Sequence, residues 1–200
     1  VHQQTARPRT STSRTPTALF VVWNSASRVA QHVRDATAAH AGSSAVTVTV
    51  ATPQHTHEIP PLLRTPADMV VLDGHGYLPP RVGRLELTGH RIRDHHGQGI
   101  TAPIIVIGAC YGADPLFVDA VRDCLDRPAV LVGCDGETDL CQAGTIYPPL
   151  LDLLARQGAN ILAEHRADDL HALVDELGDT AAGWQARLLT PPTATHAASR

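Results

Sequence analysis

Two short apolar runs, each closing on a reactive side chain among glycines, constrain this 200-residue chain more than any other feature of it. The first reads Asp68-Met69-Val70-Val71-Leu72-Asp73-Gly74-His75-Gly76. The second reads Ala102-Pro103-Ile104-Ile105-Val106-Ile107-Gly108-Ala109-Cys110-Tyr111-Gly112. Aliphatic and β-branched residues bounded by turn formers are the pattern of a strand buried on both faces of a parallel sheet. In open α/β sheets the ligand crevice lies beyond the carboxyl ends of the strands, so neighbouring strands would bring His75 and Cys110 to one rim. A thiol of ordinary pKa, about 8.5, is mostly protonated at neutral pH and needs a base or cation beside it to act as a nucleophile. Histidine is the natural base, and the two residues read as a Cys/His dyad. A lone strand-end cysteine is more often packing. The Gly-His-Gly at the end of the preceding strand tips the reading toward catalysis.

The remainder of the chain alternates in the same way. Residues 18 to 23, 45 to 51 and 129 to 133 are expected strands, and a helix follows the first of them, capped by Asn24 or Ser25 and running to about His40. Residues 59 to 63 suit one helical turn. Residues 84 to 89 suit a small β-ribbon, and 113 to 125 a helix opened by Asp114-Pro115. Ile146, Leu150, Leu151 and Leu154 mark another helix with Pro148-Pro149 in its first turn, 159 to 163 is a short strand or a helix start, and 168 to 177 is amphipathic. The expectation is one α/β domain over 18 to 189, with a mostly parallel, Rossmann-like sheet flanked by helices on both faces. Residues 1 to 17, rich in Thr, Ser, Arg and Pro, read as a disordered arm or linker, and 190 to 200 as a disordered tail.

Composition removes several classes of function. The net charge is -4 and the arginines are scattered, so nucleic acid is not an expected partner. No stretch approaches the roughly eighteen apolar residues of a membrane span, and the first residues lack the apolar core of a signal peptide. The cysteines Cys110, Cys124, Cys134 and Cys141 show no CxxC spacing and no disulfide framework, which fits a reduced, cytoplasmic setting. His90, His95 and His96, even with Cys134 or Cys141, read as a polar turn before a metal site. No metal and no cofactor is expected.

At Gly74-His75-Gly76 and Gly108-Ala109-Cys110-Tyr111-Gly112 the chain resembles the caspase-like cysteine peptidases, and within them the CHAT-domain branch. Members carry a His-Gly at the end of one central strand and, after a small β-ribbon, a cysteine at the end of the next, commonly as Ala-Cys. The text Leu85-Glu86-Leu87-Thr88-Gly89-His90-Arg91-Ile92 is especially similar to CHAT sequences, and the likeness extends over about residues 18 to 178. It implies a caspase-like fold and a cysteine endopeptidase acting on a polypeptide. Cys110 would be the nucleophile, His75 the base, and the N–H groups of Gly76 and Cys110 the oxyanion hole. It also implies an activating partner or fused domains that switch the site on. Two departures stand out: the interval from His75 to Cys110 is shorter than the roughly fifty residues of the caspase pattern, and the acid that many relatives hold two positions before the cysteine is Gly108.

Other readings use the same residues. Gly108-Ala109-Cys110-Tyr111-Gly112 also fits the nucleophile elbow of class I glutamine amidotransferases and of hydrolases and chaperones related to them. The His-x-Glu of those amidotransferases has no counterpart after Cys110. A catalytically silent signalling or scaffold module is the non-enzyme alternative. For substrate preference, the loop after the 129 to 133 strand offers Asp135, Glu137 and Asp139 to a basic side chain, since a guanidinium pairs with a carboxylate through two charge-assisted hydrogen bonds. Asp135, nearest the strand end, is the expected first contact.

Overall fold

The computed structural model describes residues 14–23, 28–83, 85–138, 140–157, 172, 175 and 182–192. Its frame is a six-stranded sheet made of β1 (Thr17–Val22), β2 (Thr47–Ala51), β3 (Met69–Asp73), β7 (Ile104–Ile107), β8 (Ala129–Cys134) and β9 (Trp184–Leu189). The order across the sheet is β2-β1-β3-β7-β8-β9. All neighbours are parallel except β8 and β9, which are antiparallel. A second sheet, β4 (Gly76–Tyr77), β5 (Arg81–Val82) and β6 (Leu85–Glu86), is a small antiparallel ribbon that leaves the end of β3.

The inner strands are apolar apart from Thr17 at the start of β1 and Asp73 at the end of β3, because both faces are covered. On one face Phe20, Val71, Val106 and Val132 pack against Val29 and Val33 of α1 (Arg28–Ala41) and against Tyr147, Leu150 and Leu154 of α5 (Leu140–Gln157). On the other, Val21, Leu72, Ile105 and Leu131 meet Ile59 and Leu63 of α2 (Ile59–Leu63), Ile92 of α3 (Gly89–Ile92), and Phe117 and Val121 of α4 (Pro115–Cys124). The result is a helix–sheet–helix sandwich, the α/β architecture with a mostly parallel sheet that the apolar runs imply. The Asp68 and Ile104 strands are adjacent and parallel, as the proposed chemistry requires.

Local chemistry sets the element ends. Asp114 caps α4 by accepting the Leu116 N–H at 2.9 Å, with Pro115 in the first turn where its missing N–H costs nothing. At the amino edge of the sheet Asp68 is buried, accepts the Thr17 N–H at 2.8 Å and pairs with Arg14 at 2.5 Å, which ties the start of β1 to β3.

Three expectations change. The ribbon begins at Gly76 rather than near 84, so His75 is the residue that hands the chain from β3 to the ribbon. Helix α5 starts at Leu140, which leaves Pro148 and Pro149 inside it and not in its first turn. Strand β9 was not anticipated; Trp184 and Ala186 face inward with Gln185 between them, a period-2 signal only a few residues long. The expected cap at Asn24 or Ser25, Arg84 of the ribbon, residues 159 to 163, and most of 168 to 177, of the arm and of the tail lie outside the described residues. No helix among the described residues is long and apolar enough to cross a membrane.

Candidate active site

The site is built where β3 and β7 end. Leu72 stands opposite Ile107 in the parallel register, and the Gly108 N–H continues the ladder by donating to the Leu72 carbonyl at 3.0 Å. Counting on equally from that pair reaches His75 on one strand and Cys110 on the other. Both therefore leave the sheet at the same height on its carboxyl edge, where α/β sheets bind their ligands.

Their backbones touch through Gly76. A β-carbon on this residue would lie 2.1 Å from the Cys110 carbonyl oxygen and 2.8 Å from its nitrogen. Only glycine allows that approach. The Gly83 N–H donates to the His75 carbonyl at 2.8 Å, and Gly76 faces Val82 across the ribbon. Bonded and non-bonded pairs alternate along an antiparallel ladder, so Gly76 occupies a non-bonded position and its N–H points away from β5. The Cys110 N–H makes no hydrogen bond among the described residues. Two backbone donors thus remain at the strand ends without an acceptor from the ladder.

Above them lies a cleft of about 390 Å³ lined by Gly76, Tyr77 and Leu78 on the ribbon side, by Cys110, and by Tyr111 and Glu137 opposite. Tyr77 and Leu78 are exposed although large and apolar, and they form an apolar lip beside the thiol. Cys110 is partly exposed and is a free thiol, as are the buried Cys124 and Cys134. The Thr138 N–H donates to Cys110 Sγ at 3.5 Å, and the thiol faces the Thr138 carbonyl at 3.6 Å. The His75 imidazole is exposed, makes no side-chain hydrogen bond among the described residues and does not line the cleft.

The acidic loop divides. Glu137 lines the cleft and accepts a hydrogen bond from the Tyr111 hydroxyl at 3.2 Å, and that bond together with the nearby carboxylate charge raises the tyrosine pKa. Asp135 accepts from Gln185 Nε2 of β9 at 2.9 Å and does not line the cleft. Asp139 lies outside the described residues. Among the described residues Glu137, two residues further from the strand end than the expected first contact, is the carboxylate of this loop that lines the cleft.

Behind the cleft is a feature that the sequence reading passed over. Asp73 is buried at the end of β3 and accepts a short hydrogen bond from the Tyr147 hydroxyl of α5, while its Oδ1 has no partner among the described residues. Burial raises its carboxyl from 3.8 to about 6, against the lowering effect of the Tyr147 hydroxyl and the Gly74 N–H. A β-carbon on Gly108 would stand 2.0 Å from that hydroxyl, so the tyrosine fills the space a side chain two residues before the cysteine would need. A carboxylate closing an otherwise apolar strand was the available signal.

The histidine-rich turn is organised by protein groups. Asp94 accepts the N–H groups of His96 and Gln98, each at 2.8 Å, and no group of three or more His, Cys, Asp or Glu among the described residues is arranged to hold a metal ion. No protein-family model matches the chain, and no curated protein matches it.

Proposed function

We propose that this chain is a cysteine peptidase of the caspase-like, CHAT-domain type that hydrolyses peptide bonds with a His75–Cys110 dyad. The observation that carries the reading is the matched exit of β3 and β7, with the residue after His75 pressed against the backbone of Cys110. A histidine ending one strand, a ribbon, and a cysteine ending the adjacent strand is also the order that the resemblance requires. In the reaction, Cys110 Sγ attacks the scissile carbonyl carbon as His75 takes the thiol proton. The carbonyl oxygen becomes an oxyanion that the N–H groups of Gly76 and Cys110 can receive. Donors of that kind are worth about 10²–10³ in turnover where one has been removed from a hydrolase. His75 returns the proton to the departing amine, and a water activated by the same imidazole then hydrolyses the thioester and frees the thiol.

Glu137 and the Tyr77–Leu78 lip favour a long side chain with an apolar stem and a cationic head next to the scissile bond. Arginyl peptides are the first choice of substrate, and a partner or fused domain is proposed to raise the activity. The test is cleavage of fluorogenic arginyl peptides by the purified chain, alone and in the presence of candidate host domains, with Cys110→Ala as the control. Hydrolysis that survives Cys110→Ala or His75→Ala sinks the dyad.

One observation bears on the amidotransferase-like alternative. An elbow of that kind places its strain at the nucleophile, whereas the non-glycine residue with positive φ among the described residues is Tyr111, at 65°, one position later. The silent-module alternative draws on the occupied surroundings of Cys110 Sγ, which have another explanation.

A further inference from the structure

The thiol of Cys110 is engaged twice by one residue. Thr138 gives it an N–H at 3.5 Å and a carbonyl oxygen at 3.6 Å. A substrate carbonyl must reach roughly 3–3.5 Å from the attacking atom before reaction, and Thr138 fills part of that shell. The segment bearing Thr138 is fastened to the residue after the nucleophile. The Tyr111 N–H donates to the Gly136 carbonyl at 2.7 Å and the Tyr111 hydroxyl donates to Glu137 Oε1 at 3.2 Å. Tyr111 makes these bonds from a left-handed backbone conformation, φ 65°, which is a genuine outlier for a bulky residue and persists only where its surroundings hold it.

We propose that residues 136 to 138 form an autoinhibitory strap that keeps Cys110 latent, and that a cationic substrate side chain opens it by taking Glu137 away from Tyr111. The regulatory meaning rests on the peptidase reading, whereas the strap itself is a contact that can be measured without any cleavage. Of the two fastenings to Tyr111, the backbone bond is indifferent to substrate. The side-chain bond lies in the cleft, with both Tyr111 and Glu137 in its wall. A neutral phenol gives the carboxylate one hydrogen bond, and a guanidinium gives it two that are charge-assisted, so an arginine side chain displaces the tyrosine. Losing that bond leaves the strap joined to Tyr111 by the Gly136 carbonyl alone and lets Tyr111 relax out of the left-handed region, which withdraws Thr138 from Sγ. The same carboxylate then serves as latch in the free protein and as receptor in the complex. This would make the isolated chain poorly reactive toward small electrophiles yet responsive to the correct substrate.

The experiment is alkylation of Cys110 by iodoacetamide, followed by mass spectrometry at that residue in the full chain. Tyr111→Phe and Glu137→Ala each remove the side-chain fastening. Each is expected to speed alkylation about fivefold, the equivalent of one ordinary net hydrogen bond. The double variant should be no faster than either single variant, because one bond is being removed. In a second arm, N-acetyl-arginine amide added to the wild-type chain should accelerate alkylation, N-acetyl-aspartate amide should not, and Glu137→Ala should abolish the response. Unchanged or slower alkylation in both single variants, or an equal effect of the two amides, overturns the strap. The outcomes separate from those of the peptidase reading. Faster alkylation with no peptide cleaved under any condition keeps the strap and removes the peptidase, and Cys110-dependent cleavage with unaltered alkylation does the reverse.

Discussion

Gly76 and Cys110 share a space that a single methyl group would destroy: a β-carbon on the glycine would fall 2.1 Å from the cysteine carbonyl oxygen and 2.9 Å from its carbonyl carbon. The atoms in the way are backbone, which cannot swing aside as a side-chain tip can. Gly76→Ala must therefore push the ribbon away from the end of β7. Overpacking of this kind costs about 1–3 kcal/mol, and a displacement near 1 Å between reacting groups costs about a hundredfold in rate. The expected outcome is a modest loss in urea unfolding free energy with a disproportionate loss of Cys110-dependent cleavage. A variant that keeps full activity would show that Gly76 plays no part in the site.

Gly108 makes the matching prediction on the neighbouring strand. A β-carbon there would lie 2.0 Å from the Tyr147 hydroxyl and 3.1 Å from the Asp73 carboxyl carbon, both of them buried. Restoring the acid that many caspase-like relatives hold at this position should fail, because Gly108→Asp would force a second carboxylate against Asp73 inside the sheet. Gly108→Ala is expected to lose about 1–3 kcal/mol through overpacking. Combining it with Tyr147→Phe, which removes the clashing oxygen, should return part of that loss. If Gly108→Ala is neutral by itself, the hydroxyl does not occupy that space.

Asp73 carries a pH signature. Burial raises its carboxyl from 3.8 to about 6, so the folded chain binds this proton more tightly than the unfolded chain does. The contribution to stability is full below the unfolded value and is lost as pH rises through about 6. The whole span is worth about 3 kcal/mol. Asp73→Asn keeps an acceptor for Tyr147 and cannot ionise, and any cost of its amide N–H is independent of pH. The wild-type stability minus that of Asp73→Asn, measured by urea unfolding, should therefore fall between pH 4 and 7. Other carboxylates, such as Asp94, whose pKa is lowered chiefly by the Gln98 N–H, titrate in both proteins and cancel in the difference. A difference that rises with pH would mean that Asp73 is held ionised by a partner other than Tyr147.

How much of this was legible in the chain follows from the range over which each interaction acts. The strands of the sheet interior announced themselves because burial on both faces leaves nothing but apolar residues, as at Met69–Asp73 up to its last position and at Ile104–Ile107. Their adjacency had no such signal. An all-apolar strand fits beside any other, and the pairing was inferred from the chemistry that His75 and Cys110 would share. The start of α5 was hidden by Pro148 and Pro149, which argue locally for a first turn. In the structure the buried stripe of Ile146, Tyr147, Leu150 and Leu154 outweighs them, against a cost of about 3 kcal/mol or more for an interior proline.

In the site, His75, Gly76 and Cys110 were readable because they sit inside two local motifs. Thr138 and Tyr147 were not, since their partners lie 28 and 74 residues away and nothing in their own neighbourhoods marks them. Asp135 and Glu137 show the limit most directly. Nearness to the strand end favoured Asp135, but a strand not foreseen, β9, supplies Gln185 and turns that carboxylate toward the sheet edge.

That division of the acidic loop gives the last prediction. Glu137 lines the cleft beside Cys110, and Asp135 is bonded to Gln185 outside it. If a cationic side chain of the substrate is read at this rim, Glu137 is the carboxylate placed for it among the described residues. Glu137→Gln removes the charge, keeps the size and leaves an oxygen to accept from Tyr111, so it should reduce kcat/KM for arginyl peptides while leaving neutral peptides little changed. A fully desolvated guanidinium–carboxylate pair would give a larger loss, but this carboxylate faces an open cleft, and about tenfold is the expected size for a charge-assisted bond partly exposed to water. Raising the salt concentration should shrink the arginyl advantage of the wild-type chain and have little effect on Glu137→Gln, because screening acts on the charge that the variant lacks. Asp135→Ala should leave the preference intact and lower stability slightly through its lost bond to Gln185. The measurement is a panel of arginyl, neutral and aspartyl fluorogenic peptides run with each variant at two salt concentrations. Loss of the arginyl preference in Asp135→Ala, with Glu137→Gln unchanged, would assign the specificity to the carboxylate nearer the strand end and remove Glu137 from the substrate site.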